Sequence, residues 1–316
     1  MSSKTIAKFL SFVILFSALL LGIWGCRVST KSLADERSEN SQFSPPATVG
    51  KISNPDVIEA SGLTVSKCQP NVLWTHNDSG NDAFIYAIDP SGVSLGTWHV
   101  RNAQNIDWED IAEFKDANGK CFIYIGEIGD NNLSRNVHII YRIPEPTVDP
   151  ANANTRQKNA WETEPAESVS FSYVDAPHNA ETLIVNPATG DIYVLTKNRT
   201  DPSGVYKITP TFGSLAIQKV SYSAQIKVPS IPFGLLTGGD ASFDGRRVVL
   251  CDYIDGYELT LPAGDNNFDD IWKQAPVRID LGPRDTGEAV AYSPDGNTIY
   301  ATTEGKHAPI IVVKRK

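Results

Sequence analysis

Five segments of this 316-residue chain follow one grammar: an apolar strand, a loop carrying a Glu or Asp, a strand, a turn and another strand. A repeat of this kind limits the fold more than any other feature, because each unit has to bury itself against its neighbour. The segments begin VGKISNPDVIEASGLTVS, TWHVRNAQNIDWEDIAEF, VSFSYVDAPHNAETLIVN, AQIKVPSIPFGLLTGGDASF and VRIDLGPRDTGEAVAYS. Their acidic positions are Glu59, Glu109, Glu181, Asp240 and Glu288, separated by 50, 72, 59 and 48 residues. Turns rich in Gly, Asp, Asn and Pro follow (DANGK, NPATGD, FDGR, SPDGNT), then strands such as FIYIGEIGDN and IYVLTKNR, then FIYAIDP, HIIYRIP and GVYKITP. Short β-branched and aromatic strands at this spacing predict an all-β fold, a single β-propeller of four-stranded blades. Five blades are counted. A sixth would need a hidden repeat between residues 109 and 181, where the polar stretch from Asn152 to Pro165 reads as an inserted loop. The fifth repeat ends at Lys316 without an outer strand, and a spare strand around Thr48 to Ile52 is expected to close that blade and hide both edges.

Ahead of the repeats, two Lys and an unbroken apolar run from Phe9 to Trp24 read as a secretory signal over residues 1–25. The run is shorter than the roughly 20 residues a membrane span needs. Ile23-Trp24-Gly25-Cys26 resembles the lipobox of bacterial lipoproteins, which implies diacylation of Cys26 and attachment to a membrane. Residues 26–46 are polar and Ser-rich and end in a Pro pair, as expected of a tether that cannot bury apolar surface. The propeller domain is then 47–316. Removing 1–25 takes two Lys from 28 basic residues against 37 acidic ones, so the exported chain carries 26 − 37 = −11. That balance argues against nucleic acid as a partner.

The phrases Thr75-His76-Asn77-Asp78-Ser79-Gly80, Asp107-Trp108-Glu109-Asp110 and Gly126-Glu127-Ile128-Gly129-Asp130-Asn131 resemble a family of uncharacterised bacterial exported β-propeller proteins. The likeness continues through Ala180-Glu181-Thr182-Leu183, Thr237-Gly238-Gly239-Asp240 and Gly287-Glu288-Ala289-Val290. It implies a TolB-like or lactonase-like propeller at the cell surface or in the periplasm, and no established reaction. More distantly, the acidic loops are similar in pattern to calcium-dependent propeller phytases and gluconolactonase-like enzymes.

In a four-stranded blade, the loop entering the inner strand and the loop between strands two and three share one face. The five repeated acids occupy the first loop. The second carries His76-Asn77-Asp78, Glu127 with Asp130-Asn131-Asn132, Lys197-Asn198-Arg199, Asp252 with Asp255, and Glu304. A ring of carboxylates around one channel mouth follows. Crowded carboxylates raise one another's pKa unless a cation compensates, and hard oxygen ligands suit calcium, magnesium or manganese. Asp78, Glu127, Asp130 and Asn131 are the expected metal ligands, because repetition of structure does not require them. Trp108, Glu109, Glu181, Lys197, Asp240, Glu288 and Glu304 are the expected ligand-binding set. For the five repeated acids the alternative is a latch, each carboxylate accepting backbone N–H groups of the next blade. For Lys197 the alternative is pairing with Glu181. His76 and His178 are candidates for general base or ligand, against ordinary hydrogen-bonded loop histidines.

Cys68 and Cys121 fall in equivalent turns of adjacent blades, so either a disulfide or two buried free thiols is expected; Cys251 should be a packed thiol. The functional expectation is a monomeric, lipid-anchored envelope propeller that binds a small molecule or an envelope protein at an acidic mouth. The alternative is a divalent-metal hydrolase of phosphoesters or lactones using the same mouth. A pyrroloquinoline-quinone dehydrogenase would need more basic residues around its anionic cofactor than this mouth offers.

Overall fold

The computed structural model describes residues 42–199, 201–229 and 235–316. The expected signal sequence, Cys26 and the expected tether as far as residue 41 lie outside the described residues. Five antiparallel blades follow one another along the chain. The first runs Ala60–Val65, Leu73–Asn77, Phe84–Ile88 and Ser94–His99; the second Trp108–Lys115, Cys121–Glu127, His138–Pro144 and Glu167–Tyr173. The third runs Ala180–Val185, Ile192–Thr196, Ser203–Ile208 and Tyr222–Ile226; the fourth Gly238–Ala241, Arg247–Cys251, Gly256–Thr260 and Val277–Ile279. The fifth comprises Gly287–Tyr292, Thr298–Thr303 and Pro309–Lys314, and the N-terminal strand Ala47–Lys51 pairs antiparallel with its third strand. That closure was the one expected. The contact begins earlier than Ala47, however: Phe43 is buried, bridges Arg315 and lies under its guanidinium.

The interval that leaves room for a sixth blade holds an insertion instead. Two short 3-10 turns lead to Trp161–Glu162, which adds in parallel to the outer strand of the first blade. Thr155 accepts the Thr97 amide through its hydroxyl, and Gln157 donates to the Tyr86 hydroxyl. In the same way Ile217–Val220, leading into the third blade's outer strand, adds in parallel to the outer strand of the second. Both additions cover outer strands that would otherwise present unpaired backbone groups.

Alternation of side chains along each strand sends successive residues to the two neighbouring blades. Leu183 and Val185 pack toward the second blade, whereas Ile184 packs toward the fourth. Five apolar clusters result, one at each blade junction. Inner strands are therefore buried on both faces, and Ala60–Val65, Ala180–Val185 and Gly287–Tyr292 are buried throughout. The turns are built by Asp and Gly as their sequences suggest. Asp116 accepts the amides of Asn118 and Lys120, and Gly119 takes the left-handed φ of +83°. A disulfide joins Cys68 to Cys121 across the first two blades, and Cys251 is a buried thiol whose pKa burial pushes up to about 11.

Five inner strands crowd a narrow axis. A Cβ on Gly238 would lie 2.1 Å from the Glu288 carbonyl oxygen. Between these strands the backbone amides have no ladder partner, and carboxylates supply one. Asp110 Oδ2 accepts the Leu183 amide at 2.9 Å and the Gly239 amide at 3.3 Å, so one side chain of the second blade ties the third and fourth. Asp240 accepts the Tyr292 amide at 2.9 Å, tying the fourth blade to the fifth. Asp110→Ala should leave those donors buried and unpaired, at about 1–3 kcal/mol each. Denaturant unfolding should therefore show a loss of at least about 2 kcal/mol; a loss within about 0.5 kcal/mol, typical of neutral surface changes, would contradict the tie.

Candidate functional site

Latch and cluster part company at a β-bulge. In the second, third and fifth blades the register between the first two strands shifts at the second residue, which places Glu109, Glu181 and Glu288 in equivalent bulged positions. An extra residue in one strand is unpaired and its side chain is re-aimed. These three carboxylates consequently leave the ladder, whereas Asp110, next to Glu109, keeps its place in it and latches. The expected equivalence of five acids fails in two blades. Ser61 holds the bulge of the first blade, Glu59 precedes the strand, and Ser61 donates to the Glu109 carbonyl. The fourth blade has no bulge, so Asp240 stays in the ladder and serves as a latch.

Around Glu109 the carboxylates of four blades converge. Asp78, Asp107 and Glu109 each bring one oxygen to within 4.8 Å of the others. Glu109 also feels the charges of Glu181 and Glu288, Asp78 those of Glu59 and Glu304, and Glu288 those of Glu181 and Glu304. Burial comes first among the causes and mutual repulsion adds to it: Asp78 is pushed up to about 6 and Glu288 to about 10, while Glu109 rises well above the usual carboxylate range. Glu288 is 5% exposed and its Oε2 has no hydrogen-bond partner.

Lys197 supplies one positive charge inside this group. Its ammonium is bound by Glu181 and donates to the Tyr253 hydroxyl at 2.7 Å. Burial works against that charge, but Glu181 and Tyr253 more than offset it and hold Lys197 protonated. Burial likewise raises Glu181, to about 7, against the pull of Lys197.

The remaining expected residues lie elsewhere or act differently. Glu127 is fully buried, pairs with Arg135 at 2.6 Å, and accepts the amides of Ile106 at 2.8 Å and Asp107 at 3.1 Å. Its carboxylate thereby holds the segment that carries Asp107. Asp130 accepts the amides of Ser134 and Arg135 and fixes the Arg135 loop from the other side. Asn131 is exposed and its amide oxygen accepts from Asn179 at 3.3 Å. Asn179 in turn donates to Glu181. Trp108 is a core residue whose indole N–H donates to the Gln104 carbonyl and whose ring packs against His76.

His76 is fully enclosed, and burial lowers its pKa to about 4 despite the Asn77 carbonyl at 2.9 Å. His178 meets Asp175 at 3.1 Å and the Tyr206 hydroxyl at 2.8 Å, at the junction of the second and third blades. Glu304 stands beside Glu288, as its place in the fifth blade implies.

Two participants escaped the sequence reading. Asp107 sits two residues before Glu109 in Asp107-Trp108-Glu109-Asp110, and the alternation of an extended strand would have placed both on one face. Tyr253 lies in the loop after the second strand of the fourth blade, where only acids were sought.

No protein-family model matches the chain, and no curated protein matches it. Among solved structures, the chain is similar to XC5397, a gluconolactonase of Xanthomonas campestris, with a TM-score of 0.44 and 10% identity over 86% of this chain and 95% of that one. A likeness this slight carries no chemistry from one chain to the other.

Burial and repulsion of carboxylates at this cluster have a pH signature. Burial, with the neighbouring acids adding to it, pushes the Asp78 carboxyl from its ordinary 3.8 in the unfolded chain up to about 6 in the folded one. A raised acid favours the folded state fully below the lower value, and that contribution is lost as pH rises to the higher one. In metal-free protein, the stability of Asp78→Asn relative to wild type should therefore improve between pH 4 and pH 7. A difference that stays flat or reverses over this window would contradict a raised Asp78 carboxyl.

Proposed function

We propose that this is an exported lipoprotein whose propeller binds a divalent cation, calcium above all, at an acidic mouth, and through it a ligand or partner of the cell envelope. The observation that carries the reading is the convergence of Asp78, Asp107 and Glu109, three carboxylates from two blades with an oxygen each inside 4.8 Å. Oxygens bound to one calcium at about 2.4 Å can lie at most ~4.8 Å apart, so this set suits the ion with little rearrangement. An all-oxygen donor set favours calcium, magnesium or manganese over zinc or copper. Glu127 and Asp130 contribute by positioning: one holds the Asp107 segment, the other the Arg135 loop.

Binding is favoured over hydrolysis. A hydrolase would need a group to move a proton near the cation, and His76 is enclosed while His178 is engaged with Asp175 and Tyr206. Export and anchoring are supported by the residues 1–25 and by Ile23-Trp24-Gly25-Cys26.

Two measurements test the proposal. Calcium at a hundredfold excess over its Kd should stabilise wild type by about 2.7 kcal/mol, and Asp107→Asn should weaken that gain. Melting curves indifferent to calcium, magnesium and manganese would retire the cation. Separately, Cys26→Ser should move the protein from the detergent-extracted membrane fraction to the soluble exported fraction. A wild type already soluble would retire the anchor.

A further inference from the structure

We infer that Gly129 is a positioning residue of the cation seat: its Cα is the surface on which the Glu109 and Asp107 carboxylates rest, and a methyl group there would drive them apart. The inference rests on the cation reading above and names the residue that sets the span of that site.

Gly129 follows the second strand of the second blade. Its amide donates to the Asp107 carbonyl oxygen at 3.2 Å and its own carbonyl oxygen accepts from Arg135 at 2.7 Å, so its backbone is fixed on both sides. A Cβ built on it would come within 2.5 Å of Glu109 Oε1, of the Asp107 carboxyl carbon and of Asp107 Oδ2, the three heavy atoms nearest to it. Backbone conformation does not call for the glycine, because its φ lies outside the left-handed region. At Gly238 the obstacle to a Cβ is the Glu288 carbonyl, part of a strand that cannot yield. At Gly129 the obstacles are two carboxylates, which can turn. An added methyl therefore acts on the site and spares the strands.

That these carboxylates await a ligand is argued from Glu109. It is 3% exposed, and among the described residues no hydrogen bond reaches its carboxylate, whereas Asp110 beside it accepts the amides of Ile111, Leu183 and Gly239. A buried acid without a donor calls for an unseen partner. One Glu109 oxygen lies within 4.8 Å of oxygens of Asp78 and Asp107, so the acid is aimed into the seat. Calcium holds its oxygens at about 2.3–2.6 Å, and a ligand displaced by the bulk of a methyl group leaves that range.

The experiment measures calcium affinity by titration calorimetry, and melting without metal, on stripped wild type and variants. Gly129→Ala should bind calcium about 10–100-fold more weakly, as changes behind metal ligands do. Its metal-free melting temperature should stay within about 2 °C of wild type, a shift worth less than a typical core substitution. Glu109→Asp withdraws the carboxylate by one methylene and should weaken binding by itself. In the Gly129→Ala background it should cost clearly less, because it makes room for the methyl. Wild type that binds calcium, with affinity unchanged in Gly129→Ala or with two losses that add in free energy, would overturn the inference and leave the cation reading standing. A Gly129→Ala chain that melts far below wild type without metal would assign the glycine to the fold and also overturn it. Wild type that binds no calcium would overturn both.

Discussion

Five inner strands around a narrow axis leave backbone amides that no sheet can satisfy, and the rest of the molecule is arranged around that shortage. Asp110 meets it most directly, since one carboxylate oxygen accepts from strands of two other blades. Asp240 does the same for the fifth blade. A carboxylate is suited to this task because it is acceptor-only when ionised and can take several donors at once. Glu109, Glu181 and Glu288 are turned out of the ladder by their bulges and must find other partners.

Neighbouring residues thus have opposite roles for a local reason. Glu109 and Asp110 are both buried acids in Trp108–Lys115, adjacent in sequence, and the bulge takes Glu109 alone out of the ladder. One is held by amides; the other faces the charges of Asp78, Asp107, Glu181 and Glu288. The internal cation Lys197 pairs with Glu181, and its charge offsets only part of the rise at Glu288. Repulsion retained in a folded protein costs stability, and structures keep such costs where a bound group repays them.

The architecture was legible because strand, turn and strand recur as short apolar runs buried on both faces, and each repeat shows the same punctuation. Even the closure by the N-terminal strand followed from counting strands in the fifth repeat. The site was half legible. Glu109, Glu181, Glu288, Glu304, Lys197 and Asp78 could be placed on one face by topology, but the register of acids within the inner strand could not. A bulge inserts one residue without any signature in composition, so Ser61 rather than Glu59 occupies that position, and Asp240 stays in the ladder. Glu127 and Asp130 looked like ligands because they are not repeated. The reason lies in Arg135, which sits in an extended loop of the second blade and is held there by both acids.

The central claim is that the bulged acid Glu109, with Asp78 and Asp107, forms a cation site, while its neighbour Asp110 forms a structural tie. Anomalous diffraction from a crystal of the propeller domain soaked in manganese tests it most directly. The account predicts an anomalous peak within coordination distance of carboxylate oxygens of Asp78, Asp107 and Glu109, with Asp110 still bound to the amides of Leu183 and Gly239. A map without a peak among these three side chains, or with manganese bound to Asp110, would contradict it.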